Sequence, residues 1–359
     1  MNNYKTNTMK RELITLTLLL SLFSVINAQP SILDLPVRGM TIGAPSADQV
    51  DRFNKFIDNE LSKTDLNLLV LRINYNYQFK SHPELAEENA LDENQVKSIL
   101  AACRRNNIEL VPLLNLLGHQ SWKQDNIRSL LKVYPEFEEN PGEKLKRDDF
   151  YCRSYCPLHP NVHKVVFSLL DEIAEVFESK AIHVGLDEVF ILGEDGCPRC
   201  KGIDKAILFG DEVNRIYKHL KTEGLKMYIW GDRLIDGRST GLGMWQAAVN
   251  ETHPAIDLIS KEVIICDWHY KVAPPTASYF AVKGFDVISC SHQIPEVAVQ
   301  QVEEMLRVRS TKSGLISDHM LGVMHTSWGS ASDFMDGFAG KECSEKTAQA
   351  VKTFKTIFQ

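Results

Sequence analysis

Residues 181–188 read Ala181-Ile182-His183-Val184-Gly185-Leu186-Asp187-Glu188. Apolar and β-branched positions carry the run to Leu186 and two acids close it, so it reads as a buried strand ending in charge. Residues 163–178 before it and 205–223 after it carry apolar side chains at three- and four-residue spacing. Helices with one apolar stripe, flanking a strand apolar on both faces, form a parallel α/β unit.

The same unit recurs along the chain. Strands are predicted at residues 37–44, 67–74, 109–116, 181–188, 225–232, 263–270, 286–292 and 321–329, with helices at 47–61, 93–107, 163–178, 205–223, 295–309 and 344–358. Eight such repeats predict an α/β fold of one kind, a single (β/α)8 TIM barrel over residues 29–359, with its site at the C-terminal ends of the strands. A doubly wound open sheet is the alternative, but no glycine-rich phosphate loop follows the first strand. The longest irregular stretch, 118–159, follows strand three and falls on the face where barrels build their sites.

The chain of 359 residues is 44% hydrophobic and 24% charged, with a net charge of -7. That balance argues against nucleic acid as a partner, since affinity for phosphate backbones comes from clustered Lys and Arg. Lys10 and Arg11, an apolar run over 13–25 and Ile26-Asn27-Ala28 form the three parts of a cleaved signal peptide, residues 1–28. The mature protein is therefore expected to be secreted or periplasmic, with no membrane span; an uncleaved N-terminal anchor is the alternative.

Polar and aromatic residues gather at the predicted strand ends: Asn74 and Tyr75, Asn115 and His119, Asp187 and Glu188, Trp230 and Asp232, Asp267 to Tyr270, His292, and Trp328. Aromatic faces stack on sugar rings, while carboxylates and imidazoles bind hydroxyls, so this set points to a carbohydrate cup. Asp187 and Glu188 are a constraint. Neighbours on a strand point to opposite faces, and adjacent acids are too close to flank a glycosidic bond as acid and nucleophile.

Residues 182–188 resemble the His-x-Gly-x-Asp-Glu signature of glycoside hydrolase family 20, the β-N-acetylhexosaminidases. Further pieces fall in the family's order: Arg38-Gly39, Val111-Pro112 followed by Gly118-His119, and Leu158-His159-Pro160. The resemblance implies a substrate-assisted route in which the 2-acetamido oxygen of the sugar is the nucleophile. It assigns Glu188 as general acid and base, Asp187 as the residue orienting the acetamide, and Tyr270 as donor to the acetamide oxygen. Arg38, His119, Trp230, Trp245, Asp267, Trp268 and Trp328 are then expected to bind the substrate, a glycan with a terminal N-acetylhexosamine, and no cofactor is needed for catalysis. Where family members commonly carry an acid two residues after the last Trp, this chain has Ser330. That departure keeps open a carbohydrate-binding barrel without turnover. A metal-dependent hydrolase using His119, His183 and Asp187 is a third reading.

Of the eight cysteines, Cys152, Cys156, Cys197 and Cys200 cluster in two loops after strands three and four. Their short spacings match ligands of a structural zinc, and two disulfides are the alternative.

Overall fold

Eight strands pair in parallel, each with its chain neighbour, and the last closes on the first. They are β1 (Val37–Gly43), β2 (Leu68–Arg72), β3 (Glu109–Leu116), β4 (Ala181–Gly185), β5 (Lys226–Trp230), β6 (Ile264–Trp268), β7 (Val287–Ser291) and β8 (Met320–Thr326). Closure runs in register from Val37 opposite Gly322 to Thr41 opposite Thr326. This computed structural model describes residues 31–121, 123, 126–141 and 152–359; the signal peptide expected over residues 1–28 lies outside the described residues. Ile32–Gln359 forms one unit, the (β/α)8 barrel read from the strand pattern.

The outer layer contains α1 (Val50–Asn59), α2 (Glu93–Arg105), α3 (Val162–Phe177), α4 (Lys205–Thr222), α5 (Thr276–Val282), α6 (Pro295–Ser310), α7 (Ala331–Phe338) and α8 (Glu345–Phe358). Their starts are chemically specified. Asp92 and Gln95 form a reciprocal capping box on α2, and the Asp204 carboxylate accepts from the Ala206 and Ile207 N–H groups at the start of α4. Between β5 and β6 only short turns of helix stand in place of a long one: Gly237–Thr240, Gly243–Gln246 and His253–Asp257. No helix among the described residues is long and apolar enough to cross a membrane.

Two apolar layers follow from the period-two alternation of the strands. Leu68, Val70, Leu113, Trp230, Cys266 and Met324 fill the barrel interior. Met40, Ile42, Leu71, Ile182 and Val184 point outward and pack under the helices with Phe53, Ile99 and Leu169. This alternation assigns each strand-end residue to the cup or to the helix layer. It places Arg72 on the inner face with Leu68 and Val70, and Arg38 on the outer face with Met40 and Ile42.

Candidate active site

The β4 strand stops at Gly185, short of the end expected for it at Glu188. Gly185 adopts φ +70°, and a Cβ there would lie 1.6 Å from Asn115 Oδ1, so the position needs glycine on two counts. Leu186 and Glu188 also take left-handed backbone, at φ 69° and 49°. Such residues cannot continue a strand, and the up-down alternation of side chains ends with them. Asp187 and Glu188 consequently turn to the same neighbour. His119 Nε2 lies 3.0 Å from Asp187 Oδ2 and 3.4 Å from Glu188 Oε2.

Burial opposes charge on both partners of the His119–Asp187 pair, and the charges and hydrogen bonds around them together outweigh it. Asp187 is held below the ordinary carboxylate range by the His119 charge and hydrogen bond, against the desolvation that would raise it. His119 is raised in turn: desolvation alone would lower it, and Asp187, with Glu188 and Asp232 beyond, outweighs that. Asn115 also draws Asp187 down, yet the buried Asp187 Oδ1 closes no hydrogen bond among the described residues.

Asp232, just past β5, fixes the other side of the acid pair. Its Oδ2 accepts from the Glu188 backbone N–H at 2.9 Å and from Arg233 Nε at 2.7 Å, while Oδ1 accepts from the Trp268 indole N–H at 3.1 Å. Asp232 and Arg233 have fully buried side chains. Arg233 also donates to the Met244 and Ala247 carbonyls, which secures the loop after β5.

Aromatic rings form the facing wall. Trp230 and Trp328 meet edge to face at 5.6 Å, and Trp268 lies 5.0 Å from Tyr270. The Trp328 indole donates to the Tyr270 hydroxyl at 2.9 Å. Burial pushes the Tyr270 phenol well above its usual range, so it remains an O–H donor at neutral pH. Beside Trp328 opens a cleft of about 270 Å³ lined by Arg72, Asn74, Asn76, Glu87, Arg128 and Ser330 among others. The Arg72 guanidinium stacks 5.2 Å from the Trp328 ring centroid and donates to the Trp328 carbonyl.

The catalytic-domain pattern of glycosyl hydrolase family 20 matches residues 50–331, most of this barrel. The chain belongs to that family. A Vibrio furnissii protein named beta-hexosaminidase is 25% identical over 210 residues, 55% of this chain and 29% of that protein. A Bifidobacterium bifidum lacto-N-biosidase is 24% identical over 211 residues, 55% of this chain and 17% of that protein. The match thus covers under a third of either relative. Among solved structures, Flavobacterium johnsoniae chitobiase superposes with a TM-score of 0.63 at 18% identity, over 89% of this chain and 48% of that one. The exo β-N-acetylglucosaminidase from Vibrio harveyi, in complex with N-acetylglucosamine, gives 0.61 at 16%, over 89% and 54%. These similarities show a shared fold.

Within this family 20 barrel, Glu188, Asp187, His119, Tyr270, Trp230, Trp268 and Trp328 come together at the C-terminal ends of the strands. Three other expectations need correction. Arg38 faces outward near the start of β1, where its guanidinium donates to the Asp65 carbonyl at 2.6 Å and the Leu35 carbonyl at 2.7 Å. Alternation along β1 directs it away from the cup, and Arg72 supplies the arginine there. Asp267 lies between the inward-facing Cys266 and Trp268 and so points to the helix layer, accepting from Thr276 Oγ1 at 2.7 Å and contacting His269 at 3.1 Å. Cys152 does not join the other three clustered cysteines. Its sulfur lies 3.7 Å from Glu188 Oε2 and 3.9 Å from His119 Nδ1, inside the site.

Trp245 stands on the rim, 42% exposed, with its ring edge-on to Phe190 at 5.2 Å. Ser330 caps α7 by accepting from the Asp333 N–H. His183 lies within the barrel under Trp230, its ring 4.3 Å away, and its Nδ1 accepts from the Gly185 N–H. Ligand-type atoms gather within 4.8 Å of one another in two groups among the described residues: His119, Cys152 and Glu188, and Glu139, Cys156, Cys197 and Cys200. Neither contains the His119, His183 and Asp187 set. Sequence reasoning missed Arg72, the anchoring role of Asp232, and Glu139. Alternation from Leu68 and Val70 was the signal for Arg72.

Proposed function

We propose that this barrel is an exo-acting, retaining β-N-acetylhexosaminidase that removes terminal N-acetylhexosamine from glycans by substrate-assisted catalysis. The observation that carries the reading is the shared imidazole. Asp187 and Glu188 both address His119 from one side of the cup, and Asp187 Oδ1 is left buried with no hydrogen bond among the described residues. Acids placed together on one side do not suit attack from opposite faces of a sugar ring, and a substrate-borne nucleophile removes that requirement.

In this mechanism Glu188 protonates the glycosidic oxygen as the acetamido oxygen attacks C1. The C1–O bond to the leaving group breaks, a C1–O bond to the acetamide forms, and an oxazolinium results. Asp187 Oδ1 accepts from the acetamide N–H and offsets the developing positive charge. The Tyr270 hydroxyl donates to the attacking oxygen and fixes its direction, with Trp230 and Trp328 enclosing the acetamido group. Glu188, now ionised, takes a proton from water as it opens the ring, which retains the β configuration.

Arg72, with Asn74, Glu87 and Arg128 in the adjoining cleft, binds hydroxyls at the non-reducing end, where Ser330 brings no charge. The names of the similar proteins support the substrate class, and the apolar N-terminal run supports an exported, secreted or periplasmic setting. Hydrolysis of an aryl N-acetyl-β-glucosaminide, with inhibition by a thiazoline mimic of the oxazoline, tests the proposal; failure of both hydrolysis and thiazoline binding refutes it.

A further inference from the structure

The second loop cluster has no part in the glycosidase chemistry. Cys156 Sγ lies 3.5 Å from Cys200 Sγ and 3.6 Å from Cys197 Sγ, and all three side chains are buried. A disulfide holds its sulfurs ~2.05 Å apart. A tetrahedral zinc with Zn–S bonds of ~2.3 Å spaces them ~3.8 Å apart. The observed separations are close to the second arrangement. Three thiols also cannot all pair, because Cys152 stands at Glu188 instead.

The fourth corner is Glu139. Its side chain is fully buried; Oε1 accepts from the Gly193 N–H at 2.7 Å, while Oε2 has no hydrogen-bond partner among the described residues. A buried carboxylate oxygen without a donor is costly unless a cation meets it. Its ligand oxygen and the three sulfurs lie within 4.8 Å of one another. The site is also held in place. Glu139 N–H donates to the Ser154 carbonyl and Cys156 N–H to the Phe137 carbonyl, pairing the two strands of one loop. The neighbouring loop presses so close that a Cβ on Gly196 would lie 1.8 Å from Asn140 Oδ1.

We propose that Cys156, Cys197, Cys200 and Glu139 bind a structural zinc ion that clamps the loop after β3 to the loop after β4. All four positions are filled by protein, so the ion has no open site for chemistry. Its effect on catalysis is indirect: Cys156 follows Cys152 by four residues, and Cys152 packs on Glu188.

Metal analysis of the full chain, purified without added metal and again after zinc reconstitution, should find about one zinc per chain, held by the four-ligand set. Cys197→Ser and Glu139→Gln should each reduce occupancy below about a tenth, with Cys152→Ser retaining it. Cobalt-exchanged wild-type protein should show a thiolate-to-cobalt charge-transfer band with visible bands of tetrahedral geometry, a readout independent of how the variants fold. Absence of zinc with two thiols missing from a denatured-state titration would establish a disulfide and overturn the proposal. Zinc lost in Cys152→Ser but retained in Glu139→Gln would overturn the ligand set. Neither result bears on glycoside hydrolysis itself.

Discussion

In the proposed function Arg72 takes the substrate-binding role that the family resemblance gives to Arg38, and paired substitutions to Met separate the two. The Arg72 guanidinium stays charged in the cup, since burial and the nearby Arg128 push its pKa down only to about 10. Met keeps an unbranched stem against Trp328 and removes the donors. A hydrogen bond from a charged donor contributes ~1.5–3 kcal/mol, and ~1.4 kcal/mol is tenfold, so Arg72→Met should lower kcat/KM about 10- to 150-fold. Most of that loss should appear in KM, because hydroxyls remote from C1 are bound alike in ground and transition states. Arg38→Met loses the bonds to the Asp65 and Leu35 carbonyls instead. Because Arg38 is only part-buried, water replaces much of each bond, and at ~1 kcal/mol each the loss should lower Tm by a few degrees and leave kcat/KM within about twofold. Steady-state kinetics on an aryl N-acetylglucosaminide, with thermal unfolding of both variants, measure the contrast. A large kinetic defect in Arg38→Met, or none in Arg72→Met, would refute the facing inferred from the strands.

Removal of Asp232 as Asp232→Ala takes away the acceptor of the Glu188 N–H and the carboxylate partner of the buried Arg233, so stability should fall by ~3–5 kcal/mol in denaturant unfolding; a loss under ~1 kcal/mol would show that the pair is not the anchor described. The His119–Asp187 pair gives a pH window. His119, raised above 6.5, contributes fully below that value and is lost as pH rises through its folded pKa; Asp187, lowered below 3.8, contributes above 3.8 and is lost as pH falls through its own. The Tm difference between wild type and His119→Gln should therefore be greatest between those two values, and a difference that grows toward alkaline pH contradicts the pairing. His325 is buried against Phe334 and Phe354 with both ring nitrogens unpartnered among the described residues, and burial holds its pKa well below 6.5. Its protonation in the unfolded chain should lower stability as pH falls below 6.5, and His325→Leu should raise Tm most at acid pH; an unchanged or lower Tm there would show that the nitrogens are satisfied.

The barrel and its order of elements were legible because buried parallel strands and amphipathic helices leave different periods in the sequence. Strand ends were harder to place. The apolar run to Leu186 hid a left-handed turn that begins at Gly185, and that turn brings Asp187 and Glu188 together. Arg38 and Arg72 were distinguishable by alternation alone, but the family motif drew attention to Arg38. Asp267 shows the same effect, sitting one residue out of phase with Cys266 and Trp268. The roles of Cys152 and Glu139 depend on how a long loop folds back over β4, and no local pattern encodes a contact between residues 139 and 193. Spacing suggested four cysteines together, whereas the loop path separates Cys152 from the other three.

In the proposed mechanism Glu188 transfers the proton while the substrate supplies the nucleophile. This division of roles is tested most directly by Glu188→Gln assayed on two aryl N-acetylglucosaminides, one with a poor leaving group and one with a highly activated leaving group. Turnover should be lost on the first substrate and partly kept on the second, with formate or azide restoring hydrolysis and thiazoline binding preserved. Equal loss on both substrates with no rescue, or full activity of Glu188→Gln, would contradict it.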